Sequence, residues 1–229
     1  MTNTKELRCI HRHTIHTHPA CFARGLVKGT WKNDKEWTKV TGKPWYTFPE
    51  YKVGYLDIET DSLKADFGTI LSWAIKEKGG DVYWKAITKE ELFREKDVDK
   101  ELVQSLIEVM NQYKIIVTYY GTGFDIPFIR SKALHYDLYF PEYGGIYHHD
   151  IFYLVKSKLN LSRKSLDNVC DHLGIKGKTP IDKEIWRLAK YGNKEAIKQV
   201  VEHNIGDVVI LEQLHEKLEP YRKWIKASV

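Results

Sequence analysis

From residue 51 onward the chain alternates between two spacings of apolar side chains, and each spacing predicts an element. "YKVGYLDI" (residues 51–58) and "TILSWAIKEK" (69–78) read as strands, and the turn Gly79-Gly80 leads into a third, "DVYWKAI" (81–87). Joined by short connections, the three predict an antiparallel meander. Residues 99–113, "DKELVQSLIEVMNQY", place apolar side chains at helical spacing, and "KIIVTYY" (114–120) follows as a short, continuously apolar strand. Strand, helix, strand in that order requires a right-handed crossover and parallel pairing. "FDIPFIRSKAL" (124–134) is a helix announced by an Asp cap and an early Pro, and "GIYHHDIFYLV" (145–155) a strand running into a helix. "SLDNVCDHLGI" is a helix ended by Gly174, "PIDKEIWRLAKY" another, and "NKEAIKQVVEHNIGDVVILEQLHEKL" a long final one. The pattern predicts an α/β domain over residues 51–229, with a mixed five-stranded sheet flanked by helices.

Residues 1–50 read differently. Trp31, Trp37, Trp45 and Tyr46 stand among Lys, Gly and Thr without sustained period-2 or period-3.6 patterning, so the segment is expected to be an extension packed on the body or on a partner. Within it, "CIHRHTIHTHPAC" offers Cys9, His11, His13, His16, His18 and Cys21, a density of soft ligands that can hold zinc, although the spacing matches no common finger. The other reading is a strand of alternating histidines docking on the domain or on a neighbouring subunit, which would make a homo-oligomer.

Composition narrows the class. With 229 residues, 42% of them hydrophobic, there is ample material for a core, and no window approaches 18 uninterrupted apolar residues. The polar, His-rich first residues lack the apolar run of a signal peptide, and three cysteines are too few for a disulfide framework. A cytoplasmic protein with no membrane partner is expected. The net charge of +5 mildly favours a polyanionic partner. More telling is its placement, because Lys156, Lys158, Arg163, Lys164, Lys176 and Lys178 outnumber Asp167 and Asp171 in one stretch.

The candidate chemistry begins at "GYLDIETDSL" (54–63), where Asp57 and Glu59 end an apolar strand. Residues two apart on a strand project from the same face, so the carboxylates repel unless something positive lies between them. A hard divalent cation such as Mg²⁺ takes such oxygen ligands. The alternative is a strand simply leaving the core for solvent. A third acid, Asp125 in "YYGTGFDIPFI", follows another buried strand, where ordinary N-capping would also explain it. A fourth, Asp207 in "EHNIGDVVILEQL", lies among apolar residues of the final helix, with His203 one turn before it on the same face.

Together these segments resemble the three motifs of the DEDD family of 3′ to 5′ exonucleases, the proofreading type, over roughly residues 51–219, and most closely a stand-alone archaeal or viral branch. The predicted sheet is then of the ribonuclease H-like kind. The resemblance implies two divalent cations, Mg²⁺ or Mn²⁺. Asp57 would bridge both, Glu59 and Asp207 would complete the first, and Asp125 would serve the second largely through water. It also implies a catalytic, water-orienting role for His203, which stands at the spacing one subtype reserves for Tyr. Tyr120 replaces the polar residue, usually Asn, that the second motif carries four positions before Phe124.

The function these readings point to is a metal-dependent 3′ to 5′ exonuclease that releases nucleoside 5′-monophosphates from single-stranded DNA or RNA. The alternative is a silent nucleic-acid-binding or polymerase-associated module. Lys164 and its neighbours are candidates for tracking phosphates, and Phe67, Tyr119, Tyr120 and Phe124 for stacking on unpaired bases. Asp150, in "YHHDIFYL", either supports the metals or caps the helix that follows it.

Overall fold

A computed structural model describes residues 52–177 and 181–221, together with the backbone of two short strands, β1 (Arg8–Cys9) and β2 (Val27–Lys28), which pair antiparallel. The Cys/His segment and the tryptophans of residues 1–50 otherwise lie outside the described residues, as does Lys178. Lys52–Arg222 form one compact unit.

Its centre is a five-stranded sheet of β3 (Val53–Thr60), β4 (Ile70–Glu77), β5 (Val82–Ala86), β6 (Ile115–Thr118) and β7 (Tyr147–Asp150), in the order β5-β4-β3-β6-β7. β3, β4 and β5 are the expected antiparallel meander, and β6 and β7 join parallel to β3 and to each other. The helices are α1 (Lys89–Leu92), α2 (Lys100–Met110), α3 (Asp125–His135), α4 (Ile151–Lys158), α5 (Leu166–His172), α6 (Lys183–Lys190) and α7 (Lys194–Leu218). One short helix was not expected: α1 is held by a complete capping box in which Thr88 and Glu91 satisfy each other's backbone N–H groups.

The central strands β3, β4 and β6 are buried on both faces, while the edge strand β5 leaves Tyr83 and Trp84 exposed. Leu56, Ile58, Leu71, Trp73 and Ile75 pack with Leu102, Leu106 and Met110 of α2 and with Phe128 and Ile129 of α3. Tyr55, Ala74 and Val117 pack with α4, α5 and the Val208, Leu211 and Leu214 side of α7. Strand alternation therefore sends Tyr55, Asp57 and Glu59 toward α7 while Leu56 and Ile58 face the other way. α7 runs antiparallel to β3, meeting Glu59 at His203, Asp57 at Asn204 and Tyr55 at His215. Further along α7, Glu212 pairs with Lys76 at 3.0 Å and accepts from Gly79 N at 2.7 Å, tying the β4–β5 turn to the same helix.

Asp99 shows where sequence patterning stops being informative. Read as the start of the helix over 99–113, it precedes α2 but makes no side-chain cap bond. It is fully buried, accepts from Ile70 N at 2.8 Å and from the Tyr136 hydroxyl, and pairs with Lys132 at 3.3 Å. This carboxylate locks the N-terminus of α2, the first residue of β4 and α3 together. Removing one partner of a buried pair strands the other, so Asp99→Ala should destabilise the fold by about 3–5 kcal/mol in urea unfolding. A loss below about 1 kcal/mol would show that the pair contributes little.

Candidate active site

Four acids and one histidine come from three separate stretches of chain and meet at the C-terminal end of β3. Glu59, His203 and Asp207 each place a ligand atom within 4.8 Å of the others'. His203 Nε2 is 3.7 Å from Glu59 Oε1 and 4.0 Å from Asp207 Oδ2. The edge of the Trp186 ring of α6 stands against the His203 ring, with centroids 5.9 Å apart and planes at 79°. His203 and Asp207 share a face because one helical turn separates them, as their spacing implied.

Asp57 faces α7 one strand pleat away. Its Oδ2 accepts from Asn204 Nδ2 at 2.7 Å, and Asn204 Oδ1 accepts from Ser72 Oγ on β4 at 3.1 Å. Asn204 is 1% exposed and was not singled out from the sequence. Its only signal there was an amide placed between His203 and Asp207 on a helix whose neighbouring positions are apolar. The Asp57 carboxyl is held well above the ordinary carboxylate range, first by burial and then by Glu59, Asp125 and Asp207, with the Asn204 bond opposing them.

Asp125 corrects an expectation. It is the first residue of α3, the position before it is Phe124, and the helix start has no side-chain cap. The carboxylate instead crosses to β3, where Oδ1 accepts from Ile58 N at 3.1 Å, midway between Asp57 and Glu59. It is 3% exposed, and burial pushes its pKa up to about 7 against the lowering effect of backbone N–H donors.

The loop that delivers Asp125 is held from β7. Asp150 Oδ1 accepts from Tyr120 N at 2.8 Å and from Phe152 N at 3.1 Å, and Oδ2 accepts from Thr122 N at 2.9 Å. Of its two candidate roles, helix capping is the one these bonds carry out, combined with bracing of the loop. Gly121 N donates to Thr118 Oγ1, and a Cβ at Gly121 would lie 2.2 Å from that oxygen, so the turn admits only glycine. Tyr120 adopts φ 65°, a left-handed conformation unusual for a bulky residue, and its ring lies over Gly123 and against Phe152.

The expected substrate contacts divide. Tyr120 is 47% exposed and Phe67 81% exposed, whereas Tyr119 donates its hydroxyl to Lys164 O at 2.6 Å. Lys164 turns its ammonium back to Leu161 O at 3.0 Å. Phe124 packs on Phe128 and lines a cavity of about 580 Å³ with Leu63, Lys64, Lys132 and His135, beside the acids and not among them.

The donor set is rich in oxygen, and its crowded charge fits a hard divalent cation, with the four acids and His203 as the groups that would hold it. No described helix is long and apolar enough to cross a membrane.

A family model described as the RNase_H superfamily matches residues 54–219. Among solved structures, the family B DNA polymerase from the hyperthermophilic archaeon Pyrobaculum calidifontis is similar, with a TM-score of 0.62 and 18% identity. That likeness covers 76% of this chain but only 25% of the polymerase, so it concerns the fold of one part of a much larger protein. No curated protein matches the chain.

Two outcomes are expected of the protein stripped of metal with a chelator. A carboxyl whose folded pKa lies above its unfolded value binds its proton more tightly in the native state. The resulting stability is complete below the unfolded value of 3.8 and is lost as pH rises through about 7. Asp125→Asn should therefore remove part of the fall in stability between about pH 4 and pH 7, read by urea unfolding at each pH. Asp57→Asn should hold or raise the melting temperature at neutral pH, because an amide relieves repulsion among the acids.

Proposed function

The chain belongs to the RNase_H superfamily, and from that premise we propose that it is a DEDD-type 3′ to 5′ exonuclease that hydrolyses single-stranded nucleic acid to nucleoside 5′-monophosphates. The observation that carries the reading is the convergence of Asp57, Glu59, Asp125 and Asp207 at one end of β3, with His203 among them. Carboxylates concentrated in this way repel, and the natural relief is two divalent cations, Mg²⁺ or Mn²⁺. When bound, such ions stabilise charge on the scissile phosphate and on the leaving 3′ oxygen and supply a nucleophile at neutral pH.

The protein's own part is positioning. Asp57 faces both sides of the site, with Glu59 and Asp207 on the His203 side and Asp125 on the other. Asn204 fixes the rotamer of Asp57 through its bond to Ser72, and Asp150 fixes the loop entering Asp125. Tyr120 and Phe124 flank the approach to Asp125 and would offer aromatic surface to unpaired bases, a sequence-tolerant recognition. Lys164 and the neighbouring basic residues would meet the phosphates once Lys164 swings out from Leu161. The extension over residues 1–50 is proposed as a separate docking segment.

A 5′-labelled single-stranded oligonucleotide with Mg²⁺ or Mn²⁺ should give a stepwise ladder that EDTA abolishes, while a circular single strand should survive. Cleavage of the circle would make the protein an endonuclease, and no cleavage of either substrate would make it a silent binding module. Asp207→Asn should lose more than about 100-fold in activity, and Asn204→Ala about 10–100-fold, the scale for a group that orients a metal ligand. Calcium, which tolerates looser geometry, should support binding without turnover.

A further inference from the structure

We propose that Tyr120, Phe152 and Tyr153 form a stacking platform for the unpaired nucleotides that precede the scissile one, with Lys156 and Arg163 beside it to meet their phosphates. The platform deepens the reading above and rests on it for the direction in which the strand lies.

The three rings touch in succession. Tyr120 and Phe152 have centroids 4.9 Å apart with planes at 74°, and Phe152 and Tyr153 have centroids 5.5 Å apart with planes at 82°. Tyr120 and Tyr153 therefore stand no more than about 10 Å apart, and a stacked strand advances about 3.4 Å per nucleotide, so the row serves two or three bases. Both outer rings are open, Tyr120 at 47% exposed and Tyr153 at 48%, while Phe152 between them is half-buried. A single exposed ring needs no explanation, but neighbouring ones mark a contact surface.

The inner end of the row is fixed at a cost. Tyr120 holds φ 65°, a conformation that Asn tolerates and a bulky side chain resists, and such strain collects where a side chain has a task. Its ring lies so close over Gly123 that a Cβ there would sit 2.6 Å from Tyr120 Cζ. Asp150 accepts from the Tyr120 N–H at 2.8 Å and from the Phe152 N–H at 3.1 Å, so one carboxylate sets both residues. Gly123 and Phe124 lead directly into Asp125, and the row begins where the chain enters the acidic site.

Charge identifies the occupant. Residues 151–166 carry Lys156, Lys158, Arg163 and Lys164 and no acid. Lys156 stands one turn after Tyr153 on the exposed face of α4. Tyr119, whose ring is 5.9 Å from that of Phe152, anchors the segment bearing Arg163 through its hydroxyl bond to Lys164 O. Exposed rings bordered by cations suit a strand of phosphates and unpaired bases, since every base offers a π-face and every linkage a negative charge.

The experiment is fluorescence anisotropy of a short 5′-labelled oligothymidylate titrated with the full chain, in calcium and again in EDTA. A second strand is identical except that it lacks the bases at the second to fourth positions from its 3′ end. Tyr153→Ala, Tyr153→Phe, Tyr120→Asn and a Lys156→Ala, Arg163→Ala double variant are compared with the wild type, each with a melting temperature checked first. Tyr153→Ala and Tyr120→Asn should each weaken binding of the intact strand about 5-fold or more, the scale of one base–aromatic contact, while Tyr153→Phe binds about as tightly as the wild type. On the abasic strand those losses should vanish. The double variant should make the dependence of affinity on salt shallower, by about 0.7 in the logarithmic slope for each charge removed. Unchanged affinity in Tyr153→Ala, an equal loss on both strands, or no binding by the wild type in either condition overturns the platform. The exonuclease reading is judged separately, by the ladder from the wild type with Mg²⁺ or Mn²⁺. A ladder with unchanged Tyr153→Ala binding sinks the platform alone, and base-dependent binding without a ladder sinks the exonuclease alone.

Discussion

The site depends on one unfavourable interaction, the mutual repulsion of carboxylates buried at the end of β3. Desolvation and the neighbouring charges of Glu59, Asp125 and Asp207 act together on Asp57, and little in the surrounding fold is positively charged enough to offset them. A core of this kind is stable only if other contacts hold the strand and helix together while the acids push apart. Those contacts are the apolar flanks of α7 against α4, α5 and the sheet, and the salt bridge of Glu212 with Lys76 at its far end. The crowded acids are thus supported by packing on both sides.

The polar layer between β3 and α7 shows how that conflict is managed. Ser72, Asn204 and Asp57 form a chain of two hydrogen bonds linking β4, α7 and β3. An amide suits the middle position because it accepts on one side and donates on the other, and so lowers the cost of an ionised Asp57 without adding charge. Further along, Tyr55 and His215 are hydrogen bonded at 3.1 Å and His215 reaches Glu219, so polar contacts join the helix to the strand at both ends, with Val208 and Leu211 between them. Such a layer fixes the register of α7 on β3, and register decides whether His203 meets Glu59.

The second support is the loop from Tyr120 to Phe124. A bulky residue at positive φ is costly, and here it is surrounded by restraints: the Asp150 carboxylate, the Thr118 hydroxyl, and two glycines without which the Tyr120 ring and the turn would clash. His148, bonded to Thr118 at 2.8 Å, backs this arrangement from β7. Asp125 enters α3 from a rigid approach, which is why its carboxylate can cross to Ile58 instead of capping its own helix.

The chain's periodicities determined most of the fold. Alternation placed Asp57 and Glu59 on one face of β3, helical spacing put His203 and Asp207 together, and strand–helix–strand order implied the parallel half of the sheet, all of which depend on neighbours a few residues apart. The helix end was legible where it is local, as at Gly174, and capping misleading where the partner is distant. Asp99 and Asp125 occupy cap-like positions, yet their carboxylates serve Ile70, Lys132 and Ile58, partners 29 to 67 residues away for which no local pattern exists. Only tertiary packing decided that Asn204 would touch Asp57, that Asp150 would brace a loop, and that His203 would stand between two carboxylates. The Asn204 and His203 contacts follow from the antiparallel lie of one long helix across the sheet, and the Asp150 contact from the parallel pairing of β7 with β6, each set by burial of apolar flanks rather than by any motif.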